Sequence, residues 1–119
     1  VTCQVVGNCG TSPAPLVPGD EASNKRLEPF PWLRPQWTTM GGYIEHVDKV
    51  GTTTNVVPLV GFGTVRDVVM GPVEREATPE ECAKMRALVA EAIAEGAFGM
   101  STGLFYSELC VDRGSHGSR

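Results

Sequence analysis

The chain has 119 residues, of which 41% are hydrophobic and 20% charged, the size and make-up of one globular domain rather than a disordered tail. Ten Lys and Arg against fourteen Asp and Glu give a net charge of −4 with no block of like charge. That excludes nucleic acid and an anionic membrane as principal partners, because phosphate binding needs clustered cations. No apolar run approaches the roughly 20 residues of a membrane helix, and no basic-then-apolar leader opens the chain. Cys3, Cys9, Cys82 and Cys110 form no CxxC pair and are too sparse for a secreted disulfide scaffold, so thiols in a cytoplasmic setting are expected. Val1 already stands inside an apolar run, which reads as part of something longer.

Val1 to Val6 is β-branched and apolar on both parities, the pattern of a parallel strand covered on both faces. It ends at Gly7-Asn8-Cys9-Gly10, where two glycines permit a sharp turn that presents Cys9. Thr11 to Pro35 holds six of the nine prolines, which excludes a long helix or a central strand and predicts a long loop over a barrel mouth or a functional surface. From Trp37, Met40, Tyr43, Ile44 and Val47 recur at helical spacing, with Thr38 or Thr39 as N-cap and Gly51 as stop. Asn55 to Gly61 is a second buried strand, weakened in its middle by Pro58, and a short segment from Thr64 to Met70 follows. Thr78, Pro79 and Glu81 form a capping box that opens a helix. Cys82, Met85, Leu88, Val89, Ala92 and Ile93 make its apolar stripe, and it stops near Gly96. Ala97 to Thr102 is a third strand.

This order predicts an α/β fold of about three parallel strands with crossover helices. Each strand ends in a Gly-containing polar turn, and α/β enzymes place their chemistry at the C-terminal ends of parallel strands. Cys9 at such an end fits a soft metal ligand, a nucleophile or a packed small hydrophobe. The nucleophile reading needs His46 as base, and His46 reads more simply as a solvated surface residue. Arg66 suits a substrate carboxylate or an ordinary acidic neighbour. Ser101 offers a hydrogen bond to a ligand or to nearby backbone, and Tyr106 suits a pocket wall or the rim. Gly61-Phe62-Gly63-Thr64 begins like a phosphate loop but lacks its ending.

The series VVGNCGTSPAPL, NVVPLVGFGTVRDVVMG, ATPEECAKMRALVAEAIAEGAFG and STGLFY resembles the D-aminoacylase (N-acyl-D-amino-acid deacylase) family of the amidohydrolase superfamily, in order, from Val1 to about Tyr106. The resemblance implies a partial (β/α)8 barrel over residues 1–106, with residues 107–119 an unrelated or disordered tail. It implies hydrolysis of N-acyl-D-amino acids, a zinc cofactor with Cys9 as a metal ligand, and Arg66, Ser101 and Tyr106 near the substrate. Zinc in that family polarises the amide carbonyl and activates water, and an aspartate carries the proton to the amine. The family's HxH pair, its further histidines and its aspartate come from strands outside this sequence, so no catalytic residue is assigned and the 119 residues alone are expected to be inactive. Where relatives usually read GHGT this chain has Phe62. The alternatives are a non-catalytic module that self-associates through open sheet edges, and a Cys-nucleophile hydrolase.

Overall fold

A computed structural model describes residues 1–103, so Tyr106 and the 107–119 segment lie outside the described residues. The elements run β1 (Cys3–Val6), α1 (Glu21–Leu27), α2 (Met40–Val50), β2 (Asn55–Gly61), α3 (Phe62–Met70), α4 (Pro79–Ala94) and β3 (Gly99–Ser101). The strands form one sheet in the order β1-β2-β3, all parallel. The expected α/β architecture with crossover helices is therefore present.

Local chemistry sets the helix ends. Thr39 caps α2 by accepting from the Gly42 amide, and Gly51 ends it. At α4 the Thr78 side chain accepts from the Glu81 amide, while the Glu81 carboxylate accepts from the Thr78 amide. Arg75 holds the same carboxylate with two bonds of 2.6 and 2.9 Å. Pro58 does not interrupt β2. It faces Val6 at the end of the β1 register, and pairing with β3 begins one residue later at Leu59 and Gly99. The missing N–H thus falls where the ladder changes partner, and the Pro58 carbonyl still accepts from the Phe98 amide at 2.8 Å.

Met40, Val60, Val65, Met85, Ala92 and Ala97 form the buried core together with Ala14 from the proline-rich segment. That segment is a packed loop interrupted by the short α1. Trp37 Nε1 donates to the Pro13 carbonyl at 2.9 Å, and the Leu16 amide donates to the Thr38 carbonyl at 2.8 Å. Arg26 donates to the Pro15 carbonyl at 3.0 Å.

Three expectations differ from the structure. β1 is exposed over Cys3 to Val5 rather than covered on both faces, because it is an edge strand against which no described helix packs extensively. The segment expected from Thr64 is a helix that starts at Phe62, directly after the strand. Ile93 is 43% exposed, since α4 packs against α3 and β2 along the side carrying Met85 and Ala92.

Candidate functional site

The parallel pairing brings the ends of all three strands to one edge of the sheet. There the chain after β1 turns through Gly7, Cys9 and Gly10 with φ of 87°, 55° and 78°. A left-handed cysteine costs about 1 kcal/mol relative to ordinary backbone, so neighbouring contacts must hold it. Asn8 Nδ2 donates to the Val5 carbonyl at 2.9 Å and the Thr11 amide to the Asn8 carbonyl at 3.2 Å. Cys9 is exposed at the crest of the turn.

The end of β3 and the first turn of α3, directly after β2, grip the same turn. The Gly10 amide donates to Ser101 Oγ at 3.1 Å, and the Ser101 hydroxyl donates to the Gly7 carbonyl. From the β2 side, the Thr64 amide donates to the Gly10 carbonyl at 3.0 Å, and the Ser12 amide donates to Thr64 Oγ1 at 3.0 Å. Thr64 is 2% exposed. Close backbone approach makes this possible. A Cβ on Gly61 would overlap the Gly10 carbonyl, and one on Gly7 would overlap the Leu59 carbonyl.

The other sequence-derived residues fall elsewhere. Arg66 is buried in α3 and donates to the Val73 and Arg75 carbonyls at 2.8 and 2.9 Å, which ties the α3–α4 loop to the helix. It borders a cavity of about 430 Å3 that also touches Lys25, Arg26, Thr64 and Asp67. Burial pushes the Asp67 carboxyl up, against the lowering effect of Arg26 and Arg66. Burial lowers Arg26, partly offset by Asp67 and Asp20. His46 is half-buried rather than solvated, its ring 4.9 Å from that of Trp37, and no hydrogen bond links it to Cys9 among the described residues. Burial raises the neighbouring Tyr43 hydroxyl. A cavity of about 640 Å3 opens beside Val1, Thr2 and Asn55, at the opposite end of the strands from Cys9, and does not belong to this site.

Sequence reasoning missed Thr64 and the double role of the Ser101 hydroxyl. The GFGT motif marked the Thr64 neighbourhood, but the partner of each group lies far along the chain.

No protein-family profile matches the chain. An N-acyl-D-aspartate deacylase from Alcaligenes xylosoxydans xylosoxydans is 40% identical over 111 residues, covering 89% of this chain and 21% of that enzyme. A D-aminoacylase from the same organism is 36% identical, covering 98% of this chain and 26% of the enzyme. Among solved structures, an N-acyl-D-glutamate deacylase from Bordetella bronchiseptica, complexed with zinc and a phosphonate mimic of the tetrahedral intermediate, superposes with a TM-score of 0.73 at 33% identity. It covers 89% of this chain and 22% of that one. A D-aminoacylase structure described for its binuclear metal centre gives 0.72 at 37% identity, with 89% of this chain and 22% of that chain covered. The chain therefore spans about a fifth to a quarter of the length of these relatives.

Proposed function

We propose that this chain, whose relatives at 35–40% identity are D-aminoacylases and N-acyl-D-amino-acid deacylases, is a segment of that family and supplies one wall of a zinc-dependent site that hydrolyses N-acyl-D-amino acids to a carboxylate and a D-amino acid. The observation that carries this reading is the exposed Cys9 on a left-handed turn at the C-terminal edge of a parallel sheet, the edge where α/β hydrolases gather their chemistry. The donor type fits, since a thiolate is an ordinary zinc ligand. The donor number does not: among the described residues no three His, Cys, Asp or Glu side chains gather to hold an ion, and a catalytic zinc takes about three protein ligands. Cys9 is accordingly one ligand of a set completed by other parts of a longer protein. Zinc, when bound, supplies Lewis-acid polarisation of the scissile carbonyl. Arg66 lies outside the Cys9 turn and holds the α3–α4 loop. A cytoplasmic setting accords with the exposed thiols of Cys3 and Cys9. Among the described residues no helix is long and apolar enough to cross a membrane.

The test is release of D-amino acid from N-acetyl-D-aspartate and N-acetyl-D-glutamate with added zinc. The 119 residues alone are expected to release none. A longer protein containing this segment is expected to turn over, and Cys9→Ser is expected to abolish both turnover and one equivalent of bound zinc. Full activity and full zinc in Cys9→Ser overturn the reading.

A second reading is favoured by the exposure of Val5 (52%), Phe98 (76%) and Met100 (47%) on the two edge strands and the residue leading into β3. By itself the chain is then a non-catalytic piece that self-associates through its open sheet edges. A monomer by sedimentation velocity at micromolar concentration excludes that reading.

A further inference from the structure

The Ser101 hydroxyl bonds twice, and both partners belong to the turn that carries Cys9. It donates its proton to the Gly7 carbonyl and accepts the Gly10 amide at 3.1 Å. A serine hydroxyl has one proton, so Ser101 has none left to offer a substrate. Its two bonds flank Cys9 on both sides, spanning the residues whose positive φ values create the turn. Thr64, in the first turn of α3 directly after β2, completes the grip by donating its amide to the Gly10 carbonyl at 3.0 Å. Gly10 is thereby held at both its N–H and its C=O, and it is buried whereas Cys9 beside it is exposed.

We propose that Ser101 is a positioning residue that locks the Gly7–Gly10 turn so that Cys9 keeps its left-handed conformation at the sheet edge. The bearing of this lock on function rests on Cys9 being a metal ligand, and it reassigns Ser101 from the substrate to the ligand's support. A lock is needed here because the left-handed conformer of a non-glycine residue is intrinsically disfavoured. A turn released from β3 relaxes toward negative φ and moves the sulfur.

The test compares Ser101→Ala, Ser101→Cys and Ser101→Thr in the 119-residue chain by NMR and by peptide mass spectrometry. Expected for Ser101→Ala are an about tenfold faster exchange of the Gly10 amide relative to Val60, loss of the positive-φ signature in the Cys9 HN–Hα coupling, and a changed ratio of Cys9 to Cys3 alkylation by iodoacetamide. Ser101→Thr keeps the hydroxyl and is expected to restore all three. If Ser101→Ala does not fold, Ser101→Cys, nearly isosteric and a weak hydrogen-bonder, carries the same expectation against Ser101→Thr. Unchanged Cys9 coupling and alkylation ratio in the folded Ala or Cys variant overturns the proposal, as does equal loss of protection at Val60 and Gly10, which would make Ser101 a general sheet contact. Cys9→Ser is expected to leave Gly10 protection intact. A failure of the metal reading, seen as unaltered zinc content in Cys9→Ser, is therefore distinguishable from a failure of the lock.

Discussion

Replacing Gly61 by Ala probes the close approach on which the strand-end junction depends. Gly61 has φ of −81°, so alanine meets no conformational penalty there and the whole cost is steric. The added methyl would stand 2.6 Å from the Gly10 carbonyl carbon and 2.7 Å from that of Thr11, against an optimum near 3.5–4.0 Å between carbons. Both neighbours are backbone and cannot rotate away, so the turn must retreat by roughly 1 Å. That displacement stretches the Gly10 bonds to Ser101 (3.1 Å) and Thr64 (3.0 Å) beyond hydrogen-bonding range. Overpacking costs about 1–3 kcal/mol and each lost bond about 1 kcal/mol, giving a destabilisation of about 3–5 kcal/mol. Gly19→Ala is the control: its φ is +81° and nothing lies within 4 Å of an added Cβ, so only backbone strain of about 1–2 kcal/mol applies. Urea unfolding followed by far-UV circular dichroism compares them, with wild type alongside. A Gly61→Ala midpoint equal to that of Gly19→Ala refutes the junction geometry.

The Glu81 carboxyl is held down to about 2 from 4.5 by Arg75 and the Thr78 amide. Its folded pKa is lower than its unfolded one, so its stabilisation is present above about pH 4.5 and is lost as pH falls through about 2. The melting-temperature difference between wild type and Glu81→Gln is expected to shrink over that window; a pH-independent difference contradicts it. Arg66→Met removes the two bonds to the Val73 and Arg75 carbonyls and is expected to speed tryptic cleavage after Arg75 several-fold, whereas an unchanged rate shows that the loop is held by other contacts. Trp37→Phe keeps one aromatic ring but loses the pyrrole half of the indole, which packs against the core, and the 2.9 Å bond to the Pro13 carbonyl, an expected loss of more than about 1 kcal/mol in urea unfolding. Phe98→Asp is expected to reduce any self-association seen in sedimentation, and no change there removes the β3 edge from the interface.

What the sequence made legible was local. The α4 capping box is written in Thr78, Pro79 and Glu81, and the α2 ends in Thr39 and Gly51, because each device closes within a few residues. The start of α3 was hidden because its N-cap is Gly61, with no side-chain bond to announce it. α1 was hidden by its seven-residue length inside a proline-rich loop, although Asp20 accepts from the Ser23 amide at its start. The exposure of β1 was illegible for another reason: the run from Val1 to Val6 carries the composition of a covered strand, while its burial depends on which elements pack on its two faces.

The candidate site shows the same division between residue type and placement. Cys9 was legible as a thiol on a turn because Gly7 and Gly10 flank it. What holds it there was not, since Ser101 acts across a separation of 91 residues to Gly10 and 94 to Gly7. Only the parallel register, with Gly61 opposite Ser101, brings that hydroxyl beside the turn. The lock therefore cannot form before β2 and β3 have paired and β1 has joined them, so the turn carrying Cys9 is ordered by the assembled sheet rather than by its own glycines. A substitution that weakens β3 pairing, such as Met100→Pro in the middle of the strand opposite Val60, should then disorder Cys9 in proportion to its effect on Ser101, although Met100 lies far from Cys9 in sequence. A Cys9 coupling unaffected by that change would show that the loop from Gly7 to Gly10 closes on its local bonds from Asn8 to Val5 and from Thr11 to Asn8 alone.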